Sequence, residues 1–209
     1  MRRKPEVPTL LAISDRRLCG GTSGLEHWAR SLPAGVAVQL REKDLDPAVL
    51  KEIGRTLREA VSGLLIVNGS LEVAVDCRAD GVHLRSDQPW AKAAPVIHAR
   101  GLLLGVSTHS RRELEAATAA GADYALFGPV FASPEKARFG PPQGIERLKR
   151  AAQGPLPVLA VGGVAPSNAP GLARAGAHGV AAIRAFAEPD RAAALAGAWK
   201  LETGTLPPP

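Results

Sequence analysis

The sequence predicts an α/β fold, a single (β/α)8 TIM barrel, and three observations carry that expectation. Short, continuously apolar runs alternate with longer amphipathic stretches. The alternation repeats about eight times within 209 residues, and no clean GxGxxG follows the first apolar run. Strands apolar on both faces belong to parallel sheets covered by helices. Eight such units in a chain of this size close most naturally into a barrel. An open doubly wound sheet is the alternative, and the missing glycine fingerprint argues against it.

The strands are expected at 9–14, 36–42, 63–67, 80–84, 102–106, 123–127, 157–161 and 179–183. Each is a short run rich in Val, Leu, Ile and Ala. Helical periodicity fits 23–32, 46–61, 70–78, 88–99, 110–120, 143–152, 167–175 and 189–200. Helix punctuation supports several of these: Asp46 precedes Pro47, Ser110 stands three residues before Glu113, and Gly121 and Gly176 follow helical runs. The reading is one domain over 1–209, with a frayed tail at about 203–209, where TGTLPPP cannot continue a helix.

Composition narrows the function classes. Hydrophobic residues make up 45% of the chain and aromatics only 4%, so the core is built from Ala, Val and Leu. A net charge of +6 favours anionic partners, but the basic residues are scattered, as in Arg16-Arg17, Arg111-Arg112 and Lys149-Arg150. That pattern argues against a nucleic-acid partner. Cys19 and Cys77 make no disulfide framework. The run LLAI is too short for a signal peptide, and no run approaches the ~18 residues of a membrane span. A cytoplasmic protein without a membrane partner is expected.

Barrels of this class carry their sites at the carboxyl ends of the strands, and polar groups gather there. In VQLREK (38–43), period-two alternation puts Gln39, Arg41 and Lys43 on one face. Two cations beside an amide are costly inside a protein. An anion such as a diphosphate explains them, through a bidentate Arg and a point-charge Lys. AVGGVAPSNA (160–169) ends a strand with Gly162 and Gly163 and opens a helix, which suits backbone phosphate binding. GVSTHS (105–110) places Ser107 and His109 after a strand, and His109 has proton-shuttle chemistry. His83 reads as a core imidazole, while His27, His98 and His178 read as helix or turn residues. The Gly- and Pro-rich loop 128–144 suggests a binding loop with Lys136 as its anion contact and Arg138 as a solvated neighbour.

Together VQLREK, the Asn68 after LLIV, ADGVHLRSD, GVSTHS, GADYALFGPVFASPEK and AVGGVAPSNA resemble one family in order and spacing. It is the thiamine phosphate synthase family with its relatives, the TenI-type thiazole tautomerases. The likeness runs from about residue 9 to 187. It implies a (β/α)8 barrel acting on a thiazole phosphate in thiamine biosynthesis. In the synthase branch a pyrimidine diphosphate ionises, the thiazole nitrogen captures the cation, and diphosphate departs. The resemblance implies a diphosphate cradle of Gln39, Arg41, Lys43, Asn68, Ser107 and Lys136. It implies a thiazole-phosphate site of Ser133, Gly163 and the backbone around Ile183, with Gly162 and Arg184 alongside.

The departures from the pattern bear on the branch. Synthases usually follow the Asn with a magnesium-binding Asp, where this chain has Gly69; the second ligand is kept as Asp87, leaving an incomplete metal site. A usual Ser is replaced by Arg184. Asn-Gly, with a histidine at the position of His109 moving a proton, resembles the tautomerase branch, whereas Lys43 and Asp87 resemble a synthase. The expectation is therefore a TenI-like thiazole tautomerase using His109 as acid and base, without a cofactor. The alternative is a thiamine phosphate synthase with Mg, and a third is a regulator that retains the fold. A phosphorylated thiazole is the expected partner, joined by a pyrimidine diphosphate in the synthase case. The reading leaves a homodimer open.

Overall fold

In the computed structural model, which describes residues 4–132 and 141–204, eight parallel strands close into a barrel in sequence order. The strands are β1 (Leu10–Ile13), β2 (Ala37–Leu40), β3 (Leu65–Asn68), β4 (Gly81–Leu84), β5 (Leu103–Thr108), β6 (Tyr124–Phe127), β7 (Val158–Val161) and β8 (Gly179–Ala182). β1 pairs with both β2 and β8, which completes the closure. The helices among the described residues are α1 (Gly24–Ser31), α2 (Pro47–Ala60), α3 (Leu71–Asp76), α4 (Trp90–His98), α5 (Arg111–Ala119), α6 (Gly144–Ala151), α7 (Ala169–Arg174) and α8 (Pro189–Thr203). None of them is long and apolar enough to cross a membrane.

The alternation of side chains along each strand splits the core in two. Leu11, Ile13, Ala37, Ile66, Leu103, Tyr124, Leu126, Leu159 and Ala181 fill the barrel interior. The intervening residues, including Leu10, Val38, Leu65, Val82, Leu104, Ala125, Val158 and Val180, pack outward with the helices. This two-sided burial is why the strands are apolar throughout.

Local signals act where the sequence places them. Asp46 and Pro47 open α2, with the proline at its first helical position. Ser110 caps α5 by accepting from the Glu113 N–H, and the Glu113 carboxylate in turn accepts from the His109 N–H at 2.6 Å. Gly121 and Gly176 adopt φ of 80° and 89° after α5 and α7.

Most boundaries differ from expectation by a residue or two, and three of the differences bear on the site or the tail. β2 stops at Leu40, because the Arg41 N–H leaves the sheet ladder and donates to Ser14 Oγ at 2.9 Å. β5 runs on to Thr108, so Ser107 lies within the strand. Thr203, expected in the tail, is the last residue of α8, which ends on Gly204 in the left-handed region at φ 70°.

Candidate active site

A cavity of about 530 Å³ opens at the carboxyl ends of the strands. Gln39, Arg41, Lys43, Asn68, Asp87, Ser107, His109, Gly162, Gly163, Ile183 and Arg184 all line it. The structure thus brings together eleven of the thirteen residues singled out above. The other two, Ser133 and Lys136, lie outside the described residues, as does Arg138.

The β2 arc of the rim is built by side chains. Gln39 is 1% exposed and points inward from β2. Beyond it Arg41 is half-buried, and burial lowers its guanidinium pKa against the opposing pull of Asp15 and Glu42. Arg41 nonetheless stays charged, since arginine starts from a pKa above 12. What holds this arc is Glu42, which points away from the cavity and is 5% exposed. Its carboxylate accepts from Ser14 Oγ at 2.7 Å, from the Arg16 N–H at 3.1 Å and from Arg16 Nη1 at 3.2 Å. Arg16 also makes a two-pronged pair with Asp44 at 2.7 and 2.9 Å. Ser14, Arg16, Glu42 and Asp44 therefore staple the β1 and β2 rims together and aim Arg41 and Lys43 inward.

The β7–β8 arc carries the glycines, beside the lining residues Arg184 and Arg191. Gly162 and Gly163 adopt φ of 97° and 63°. A Cβ on Gly163 would lie 2.6 Å from Phe131 Cβ and 2.8 Å from the Ala132 carbonyl oxygen, so no side chain fits without movement. Asn168 fixes the loop: its Oδ1 accepts from the Ala165 N–H and its Nδ2 donates to the Gly163 carbonyl, both at 2.9 Å. The neighbouring 3-10 turn Arg184–Phe186 begins directly after β8, with Ala185 fully buried.

On β4 and β5, His83 Nε2 lies 2.9 Å from Ser107 Oγ. His83 is 1% exposed, and burial together with the Arg41 charge pushes its pKa down to about 3. The expected core imidazole is buried, but it also lines the cavity and its Nδ1 finds no hydrogen-bond partner among the described residues. His109 is exposed at the mouth, and its Nδ1 donates to the Gly128 carbonyl at 2.6 Å. A carbonyl only accepts, so Nδ1 carries a proton and is the donor, which leaves Nε2 directed away from Gly128.

Sequence reasoning missed several wall residues. Arg85, Ser86 and Arg191 line the cavity, as does Asp15. Arg191 enters from the first turn of α8, and nothing in its local sequence marks it. Arg85 and Asp15 stand directly after strands, a signal that was available. Arg85 grips Asp87 with two contacts of 2.9 Å, holding that carboxyl below its ordinary range. Arg17 does the same to Asp15 at 2.8 Å. Both anions at the rim are thereby neutralised, and the cavity presents net positive charge.

A family model described as thiamine monophosphate synthase matches residues 10–186. The chain belongs to that family. A protein from Geobacter sulfurreducens is 41% identical over 188 residues, covering 87% of this chain and 88% of its own. The thiamine-phosphate synthase of Moorella thermoacetica is 37% identical, covering 84% and 86%. Among solved structures, the thiamine phosphate pyrophosphorylase from Pyrococcus furiosus superposes with a TM-score of 0.83 at 29% identity, over 94% of this chain and 97% of that one. The relatives carry the synthase name and none of these comparisons singles out the tautomerase, so the balance expected from His109 and Gly69 shifts to the synthase branch of the family.

Family membership raises the question of magnesium, which takes oxygen ligands and keeps several waters. Among the described residues no three His, Cys, Asp or Glu side chains group as a metal site. Gly69, at φ 81° with open space around it, supplies no carboxylate. Among the described residues Asp87 would be one protein ligand for an ion arriving on substrate phosphate oxygens, and the carboxylates there make no site for a resident ion.

Proposed function

We propose that this chain is a thiamine-phosphate synthase, joining a pyrimidine diphosphate to a thiazole phosphate with release of diphosphate. The observation that carries the reading is 37–38% identity to named thiamine-phosphate synthases over more than four fifths of both chains. The cavity suits the reaction. The bond between the pyrimidine methylene carbon and the diphosphate oxygen breaks, and the electron pair leaves with diphosphate. Negative charge grows on that oxygen, and Arg41 and Lys43 stand on the rim arc where preorganised cations stabilise it. The thiazole nitrogen supplies the electron pair for the new C–N bond. Its phosphate fits the glycine arc around Gly163 and Ile183, where close backbone approach is open. Holding the two anions on different arcs sets nitrogen and carbon face to face, which replaces a bimolecular encounter by a local one. Magnesium, when bound with diphosphate, would be held on the protein side by Asp87 and would neutralise part of the departing charge.

One observation favours a second reading, the tautomerase: His109 is fixed through Nδ1 to the Gly128 carbonyl at the cavity mouth. An assay separates the two. Purified protein with both phosphorylated substrates and magnesium is expected to yield thiamine phosphate and pyrophosphate one for one. Isomerisation of the thiazole carboxylate without thiamine phosphate formation would overturn the synthase.

A further inference from the structure

Among the described residues, His83 is the one buried titratable group in the cavity wall that the proposed chemistry leaves unused. It stands level with Asn68 on β3 and Gly105 on β5, one step beneath Ser107. Gly105 is there because the Tyr124 phenol leans across β5: any Cβ at 105 would overlap that ring. The Tyr124 and His83 rings consequently lie 5.9 Å apart, centroid to centroid, and Tyr124 is fully buried. Three inward-facing polar atoms in this layer and the one beside it find no partner among the described residues: His83 Nδ1, the Tyr124 hydroxyl and Gln39 Nε2.

The neutral imidazole has a single proton to place. If it sits on Nδ1, the Ser107 hydroxyl must donate to Nε2. The phenol oxygen of Tyr124 can then take the Nδ1 proton, but no imidazole lone pair remains for the Gln39 amide or for the phenol's own proton. If it sits on Nε2, that N–H donates to Ser107 Oγ. Nδ1 then becomes an acceptor that one bridging water can link to the Gln39 amide or the Tyr124 phenol. Buried polar groups are nearly always satisfied, so the second arrangement is favoured. It also frees the only proton of the Ser107 hydroxyl, which lines the cavity.

We propose that His83 is a positioning residue that holds Ser107 as a hydrogen-bond donor: Nε2–H donates to Ser107 Oγ, and the serine proton is turned into the cavity toward the departing diphosphate. The inference rests on the synthase reading for the identity of the anion. The arrangement of protons stands apart from that reading. Acting through Ser107, His83 changes anion binding without touching the ligand, and its removal has no further effect once the serine hydroxyl is gone.

Nitrogen NMR of protein labelled in its imidazoles tests the proton directly in the unmutated chain, with His83→Gln used to assign the signal. Nε2 protonated and Nδ1 bare is expected. A protonated Nδ1 overturns the proposal. Calorimetry with inorganic pyrophosphate tests the consequence. His83→Leu is expected to weaken binding about tenfold, the order lost with one hydrogen bond to a charged group. His83→Gln, whose amide NH2 can donate to Ser107 Oγ in place of Nε2–H, should recover most of that loss. In a Ser107→Ala background the His83→Leu change should add nothing. Equal, additive losses in both backgrounds overturn the proposal. A protein that binds pyrophosphate in this pattern yet makes no thiamine phosphate would instead overturn only the proposed reaction.

Discussion

The two arcs of the cavity rim would receive the anions of the proposed reaction by different means. From β2 to β5 the groups are side chains: Gln39, Arg41, Lys43, Asn68 and Ser107. At β7 and β8 the glycines Gly162 and Gly163 and the turn at Ile183 open the wall to close backbone approach, while Arg184 and Arg191 also line it. A side-chain arc can be tuned one residue at a time, but its cations must be held in place by a scaffold such as Ser14, Arg16 and Glu42. A backbone arc needs no charge, yet it tolerates no added atoms. In the proposed reaction the diphosphate is a leaving group whose charge changes, so movable full charges would suit it. The thiazole phosphate would only anchor its substrate, and fixed dipoles would suffice.

Replacing Arg41 by methionine breaks the first arc most sharply. A bidentate charged contact is worth about 1.5–3 kcal/mol or more per bond, so kcat/KM for the pyrimidine diphosphate should fall at least about 10²-fold. The KM for thiazole phosphate should stay nearly unchanged in the same steady-state series. Equal loss for both substrates would erase the distinction between the arcs.

Gly163→Ala addresses the second arc. Left-handed backbone and the overlap with Phe131 and Ala132 predict a stability loss of about 1–3 kcal/mol in urea titration. Thiazole-phosphate affinity should drop alongside it, while pyrophosphate affinity is kept. Wild-type stability and binding in this variant would show that the loop moves freely and is no preformed site.

The buried imidazole on the side-chain arc leaves a trace in acid. His83 stays neutral in the folded protein down to about pH 3, whereas in the unfolded chain it takes a proton below about 6.5. The unfolded state therefore binds more protons in that window, and stability falls as the pH drops from about 6.5 toward 3. The slope from this residue is about 1.4 kcal/mol per pH unit. His83→Gln should remove that portion of the slope in denaturation curves between about pH 6 and 4. An unchanged slope would mean that the imidazole is solvated.

The smallest expected effect comes from Gly69→Asp. The position has open space but φ of 81°, so an aspartate there costs about 1 kcal/mol or less. It adds a second carboxylate near Asp87 and should tighten the magnesium dependence of diphosphate release severalfold. No change in that dependence would place the ion elsewhere.

Much of this was legible in the sequence because two simple periodicities carry it. Strands buried on both faces announced the barrel, and alternation in VQLREK announced that Gln39, Arg41 and Lys43 share a face. Gly162 and Gly163 were legible as a pair of permissive residues after a strand. The supports were not. Glu42 looks like one more surface acid, and only the approach of Ser14 and Arg16 from β1 makes it a buried anchor. Arg191 arrives from α8 by closure of the barrel, and local sequence carries no sign of it. His83 was read as an ordinary core residue because its neighbours in sequence are apolar. What sets it apart is the gap at Gly105 and the lean of Tyr124, both on other strands. The branch was misweighted for a related reason: His109 and Gly69 are local differences, while the likeness to synthases is spread over the whole chain.

The most direct measurement is a crystal structure of this protein with thiazole phosphate and pyrophosphate bound together. The account predicts pyrophosphate against Arg41, Lys43 and Ser107, and the thiazole phosphate on the backbone at Gly163 and Ile183, with the thiazole nitrogen facing the space between them. Pyrophosphate on the glycine arc, or either ligand outside the rim cavity, would contradict it.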